Sequence, residues 1–132
     1  MRYMLMMNAP YGTGDYQISD WSQEDLAAHI AFMHSFNRQL TESGELIGGE
    51  GLAAPGEAKI VRADRNGAPV VTDGPFPEAK EFLAGYWIVE VDRPERAYEI
   101  AAKASTAPGP GRKPLILAIE VRQVLSAPLE DA

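Results

Sequence analysis

The chain has 132 residues, 45% of them hydrophobic and 23% charged, with a formal net charge of −7 at pH 7. That length suits one domain with its own core, and the acidic balance counts against nucleic acid and anionic membranes, which call for a basic footprint. The chain contains no cysteine, which excludes disulfides and thiolate chemistry and fits a cytoplasmic location.

The expected organisation is a single domain over residues 1–126 with a short acidic tail at 127–132. The apolar start at Met1–Met7 is too short to span a bilayer and is not followed by a cleavage site, so no membrane association is expected. It reads instead as a strand over residues 2–7, apolar on both faces and therefore central in a sheet. Residues 8–20 read as a loop. Ser22 with Asp25 approximates a capping box and opens a helix over residues 23–43, which Gly44 ends. On a helical wheel Leu26, Ile30, Met33 and Leu40 share one stripe, the expected core face.

Residues 45–52 read as short extended structure loosened by glycines. The pair Asn66-Gly67 between residues 59–63 and 69–72 signals a β-hairpin. Residues 85–91 form the clearest strand. A second helix follows, capped by Asp92, with Pro94 in its first turn and Ala97, Ile100, Ala101 and Ala104 on one face. The segment over residues 115–124 reads as the last strand.

This order predicts an α+β, ferredoxin-like βαββαβ subunit with an extra β-hairpin, its first and Tyr86–Val91 strands central and both helices on one face. The other face would carry Tyr86, Ile88, Ile116 and Ala118 together with Glu90, Glu120 and Arg122. Such a surface is too apolar to leave in water, which predicts a homodimer with a partly polar interior between two sheets.

The segment Val70-Val71-Thr72-Asp73-Gly74-Pro75-Phe76-Pro77-Glu78-Ala79-Lys80-Glu81 is a sharp turn that sets charge beside an aromatic ring. It is either a site or a decorated corner. With the start Met1-Arg2-Tyr3-Met4-Leu5, the helix end at Leu40 and Gly44, and Gly49-Glu50-Gly51-Leu52, it resembles the DGPF branch of the YCII-related family over nearly the whole chain. The resemblance implies a dimeric α/β barrel of ferredoxin-like subunits. It also implies a His–Asp dyad in a pocket, with Asp73 as the acid and the His on the first helix. Relatives are often encoded near extracytoplasmic-function sigma factors, which implies a regulatory link by association only.

On the residues themselves, Asp73 is a turn carboxylate or a general acid or base. His34 and His29 both fall at the edge of the helix stripe, with His34 favoured for its position beside Ile30 and Asn37. Asn37 is a polar amide inside the apolar stripe that has to find partners, lining a cavity or tying down a loop. Tyr3 and Phe76 are packing residues or walls of a ligand pocket, and Glu50, Glu78, Lys80 and Glu81 are solvated charges or site groups. The two His are five residues apart and diverge by about 140° on a helix, so they do not share a metal ion. No phosphate loop or nucleophile elbow is present, and no cofactor is expected.

Two functions stay open. The first is a homodimer that binds a small organic molecule in its cavity and supports cofactor-free proton transfer, with catalytic Asp73 and His34 and with Tyr3, Asn37, Glu50, Phe76, Glu78 and Lys80 about the ligand. The second is a non-catalytic ligand-sensing or regulatory module linked to sigma-factor regulation.

Overall fold

A computed structural model describes residues 1–10, 20–74 and 80–125. Its main sheet has four antiparallel strands in the order β2-β5-β1-β6. These are β1 (Arg2–Pro10), β2 (Leu46–Gly51), β5 (Glu81–Glu90) and β6 (Ile119–Gln123). Helices α1 (Gln23–Glu42) and α2 (Pro94–Ser105) follow β1 and β5, and β3 (Lys59–Ala63) pairs with β4 (Pro69–Asp73) in a separate two-stranded sheet. This is the ferredoxin-like α+β arrangement with an inserted hairpin, and β1 and β5 are its central strands.

Alternation decides which side chains face the helices. Tyr3, Leu5, Met7 and Ala9 of β1 are buried with Trp87 and Val89 of β5, against Phe36 and Leu40 of α1 and Ala97, Ile100, Ala101 and Ala104 of α2. Both helices therefore cover one face. The opposite face carries Met4, Met6, Tyr86 and Ile88, all half-buried. Glu90, on that face, takes the Met1 amine at 2.7 Å and Arg2 at 3.2 Å, and hydrogen bonding to the amine holds its carboxyl below the usual range.

The local signals act as their chemistry predicts. Ser22 Oγ accepts from the Asp25 N–H at 3.0 Å, and Gly44 adopts φ 79° as the chain leaves α1. In the hairpin turn Gly67 has φ 85°, and Asp64 Oδ1 accepts from the N–H groups of Asn66 and Ala68 at 2.8 and 3.0 Å.

Several expectations change. The core stripe of α1 is His29, Phe36 and Leu40, flanked by Phe32 and Met33, while Ile30 is exposed. Positions 29, 33, 36 and 40 alternate spacings of four and three, and the two Phe residues outweigh Ile30 in choosing the buried side. The N-cap of α2 is Arg93, with no side-chain bond, rather than Asp92. β5 begins at Glu81, four residues earlier than expected, because a bulge lets it continue past Gly85. Met7 pairs with Gly85 but Asn8 with Leu83, so Ala84 is the extra residue. The last strand is shorter than 115–124. Leu115 N–H bonds the Ala107 carbonyl at 2.9 Å and Ile116 has φ 53°, so this stretch ties back to the loop after α2 and joins the sheet only at Ile119.

Candidate functional site

The bulge at Ala84 and the glycines of β2 leave space between α1 and the sheet. Gly49 pairs with Trp87, and a Cβ on it would lie 2.6 Å from the Tyr86 carbonyl oxygen; one on Gly85 would lie 2.9 Å from that of Glu50. The two backbones approach too closely for larger residues. Where side chains would otherwise fill the interior, a cavity of about 260 Å³ remains, lined by His29, Met33 and Asn37 of α1, Met7 of β1, Gly49 to Gly51 of β2 and Ala84 to Trp87 of β5.

His29 is 6% exposed, the one buried polar or charged residue among those described. Its Nδ1 lies 3.0 Å from the Pro108 carbonyl oxygen. A carbonyl only accepts, so Nδ1 carries the proton and donates, which in the neutral ring leaves the lone pair on Nε2. Trp21 packs edge-on against the imidazole, with centroids 5.3 Å apart. The ring is thus held in one orientation by a hydrogen bond and an aromatic contact.

Asn37 is fixed from the other side. Trp87 Nε1 donates to its Oδ1 at 2.8 Å. An indole N–H can only donate, so this contact assigns the amide oxygen and turns the amide NH2 the other way. Trp87 is itself set by an edge-on contact with Phe36, with centroids 5.3 Å apart. No buried side-chain nitrogen or oxygen among the described residues lacks a partner, and Asn37 lines the cavity beside His29. The wall thus offers an amide donor and an imidazole within a surround of Met7, Met33 and Trp87.

The remaining candidates are dispersed. His34 is exposed on α1 and does not line the cavity. Asp73 ends β4 with its side chain 90% exposed, bound to Lys59 Nζ at 2.7 Å. Neither joins His29 in the lining of the cavity. Tyr3 is buried in the core rather than at the cavity. Glu50 borders the cavity through β2, but it pairs with Tyr86, so its exposed side chain belongs to the open face of the sheet. Lys80 is exposed. Phe76 and Glu78 lie outside the described residues.

Sequence reasoning had set Asn37 apart as a polar group on an apolar stripe. It passed over Trp87 as Asn37's partner, although a buried indole has to donate somewhere. It also passed over Glu45, whose carboxylate receives Arg96 Nε at 2.7 Å and Nη2 at 2.9 Å, joining the start of β2 to α2. Hydrogen bonding to Arg96 lowers the Glu45 pKa from the usual 4.5 to about 2. Among the described residues, no group of three His, Cys, Asp or Glu could hold a metal ion, and no helix is long and apolar enough to cross a membrane.

A four-stranded antiparallel sheet covered by two helices on one face, with a small polar-edged cavity beneath the first helix, defines a ferredoxin-like α+β domain. The chain belongs to the YCII-related family, whose domain profile matches residues 1–110. It is similar to a protein of Rhizobium meliloti (strain 1021) described as uncharacterized, 30% identical over 89 residues that cover 67% of this chain and 71% of that one.

Proposed function

We propose that the protein is a homodimer that binds a small organic molecule in the cavity beneath α1, with His29 and Asn37 as the polar contacts. The observation that carries this reading is the meeting of an oriented, 6% exposed imidazole and the Asn37 amide, fixed by Trp87, in the lining of one cavity of about 260 Å³. Small-molecule sites combine apolar walls with few oriented polar groups. The volume suits a compact metabolite rather than a nucleotide. An amide donor fits an acceptor such as a carbonyl oxygen.

If the protein also catalyses proton transfer, His29 takes the role expected of His34, since its ring is already oriented by Pro108. Asp73, bridged to Lys59 on an exposed strand, then acts only when another subunit approaches it. The homodimer reading is supported by the open sheet face, where Met4, Met6, Tyr86 and Ile88 are only half-buried in one copy.

Thermal-shift screening against small neutral and cationic metabolites tests the ligand reading. A stabilising compound is expected to lose its effect in Asn37→Ala and His29→Gln and to keep it in His34→Gln. Compounds that stabilise all three variants as they do the native protein would remove the cavity from consideration. The ligand-sensing alternative shares this site and differs only in turnover, so incubation of each hit with protein and analysis of the products separates the two.

A further inference from the structure

The main sheet has two unlike edges. β2 forms one, with Gly48, Gly49 and Gly51 and a register shift between Leu46 and Gly48, features that discourage a further strand. β6 forms the other with Ile119-Glu120-Val121-Arg122-Gln123, a regular run without Gly, Pro or bulge. Among the described residues no strand lies beyond it.

The register tells which backbone groups of β6 face outward. The Asn8 N–H bonds the Ala118 carbonyl at 3.2 Å, and the Val124 N–H bonds the Arg2 carbonyl at 2.8 Å. Residues 118, 120, 122 and 124 therefore turn their N–H and C=O groups to β1, and alternation turns those of Ile119, Val121 and Gln123 away from it. Side chains alternate as well. Ile119 and Val121 pack against the core, while Glu120 and Arg122, opposite Met6 and Met4, are exposed on the other face. The ion pairs among the described residues include neither of them.

These groups make the edge complementary to itself. An antiparallel copy centred on Val121 sets the two Val121 residues opposite each other and Ile119 of each copy opposite Gln123 of the other, which satisfies every outward N–H and C=O of those residues. Glu120 of each copy then faces Arg122 of the other, at the non-hydrogen-bonded positions where side chains lie closest. Moving the centre by one residue would set Glu120 against Glu120 or Arg122 against Arg122, which repulsion opposes. The helix side agrees. Between α2 and β6 runs a groove of about 420 Å³ whose lining includes Tyr98, Ala102, Ile116, Ile119 and Val121. Tyr98 is 55% and Ile116 66% exposed, and Ile116 adopts φ 53°, a backbone that β-branched residues rarely take.

We infer that β6 is a self-pairing edge, which joins two copies of this chain into one continuous antiparallel sheet through Ile119–Gln123, with reciprocal Glu120–Arg122 pairs setting the register. The two-fold repeat also brings the grooves beside β6 together. The contact lies at the rim of the sheet and leaves its open face free, so it goes beyond the homodimer reading above and stands without it.

The test uses the full chain. It has no cysteine, so Glu120→Cys and Arg122→Cys each place a single thiol. Facing non-hydrogen-bonded residues lie about 4.5 Å apart at Cα, within reach of a disulfide. Oxidation of the two variants mixed, one labelled with 15N, is expected to give disulfides between unlike copies and few between like copies. In sedimentation equilibrium, Glu120→Arg or Arg122→Glu alone is expected to raise the dissociation constant about tenfold. The two changes together restore opposite charges and should return it to within about twofold of the native value. Unlike-copy disulfides no commoner than random collision gives, or a double variant as weak as the single ones, overturn the edge pairing. So does a native protein that is monomeric at micromolar concentration. A native dimer indifferent to every one of these charge reversals leaves the open-face homodimer standing and overturns the edge alone.

Discussion

Replacing Glu45 by Gln tests how α2 is held to the sheet. The carboxylate accepts two hydrogen bonds from Arg96 and one from Ser43 Oγ at 2.7 Å, and its pKa falls from the usual 4.5 to about 2, chiefly through Arg96. Each tenfold change in proton affinity is worth about 1.36 kcal/mol, so the depression corresponds to about 3.4 kcal/mol if undiminished. Glu45 is 18% exposed but Arg96 is 38% exposed, and solvent screening reduces the expected value to about 1–2 kcal/mol. The sign follows from linkage: the folded pKa lies below the unfolded one, so this stability is complete above pH 4.5 and is lost as the pH falls towards 2. Urea unfolding of the native protein and Glu45→Gln at several pH values between 7 and 2 reads it out. The native protein should be more stable by about 1–2 kcal/mol at pH 7, and the gap should close progressively between pH 4.5 and 2. Other carboxylates are common to both proteins and cancel in the difference. A gap that stays constant down to pH 2, or no gap at neutral pH, would refute the reasoning.

Three further outcomes follow from packing. Asn37→Leu leaves the buried Trp87 N–H without its acceptor and should cost about 1–3 kcal/mol in chemical denaturation, with a change in indole fluorescence. Gly49→Ala forces a Cβ against the Tyr86 carbonyl and should cost about 1–3 kcal/mol by overpacking; a variant as stable as the native protein would mean that β2 yields freely. Leu5→Ala empties a fully buried position beneath both helices and should cost about 2–5 kcal/mol, read as a lower urea midpoint with an unchanged slope.

The elements were legible where local chemistry decides them. Ser22 and Gly44 mark the two ends of α1, Asn66-Gly67 marks the hairpin, and Ala97, Ile100, Ala101 and Ala104 mark the buried side of α2, because caps, turns and apolar periodicity act within a few residues. What went unread depends on partners far along the chain. His29 rather than His34 faces inward because Phe32 and Phe36 set the rotation of α1 against β5. The bulge at Ala84 shows itself only once β5 is laid beside β1. The Glu45–Arg96 clamp joins residues 51 apart, and no short pattern announces it. Asp73 carried the most conspicuous local motif, yet it ends a strand whose every residue is exposed. The candidate site was therefore half visible: Asn37 by its misplaced polarity, and the cavity only through tertiary packing.

The cavity comes with its own reporters. The chain has two Trp residues; Trp87 bonds to Asn37 and Trp21 packs on His29. A 1H–15N spectrum of the two indole N–H groups, recorded while a compound that stabilises the protein is added, tests the central claim directly. Ligand binding beneath α1 should move the Trp87 indole signal saturably, with a smaller shift for Trp21, and Asn37→Ala should abolish the response. Saturable binding that leaves both indole signals in place would contradict the account.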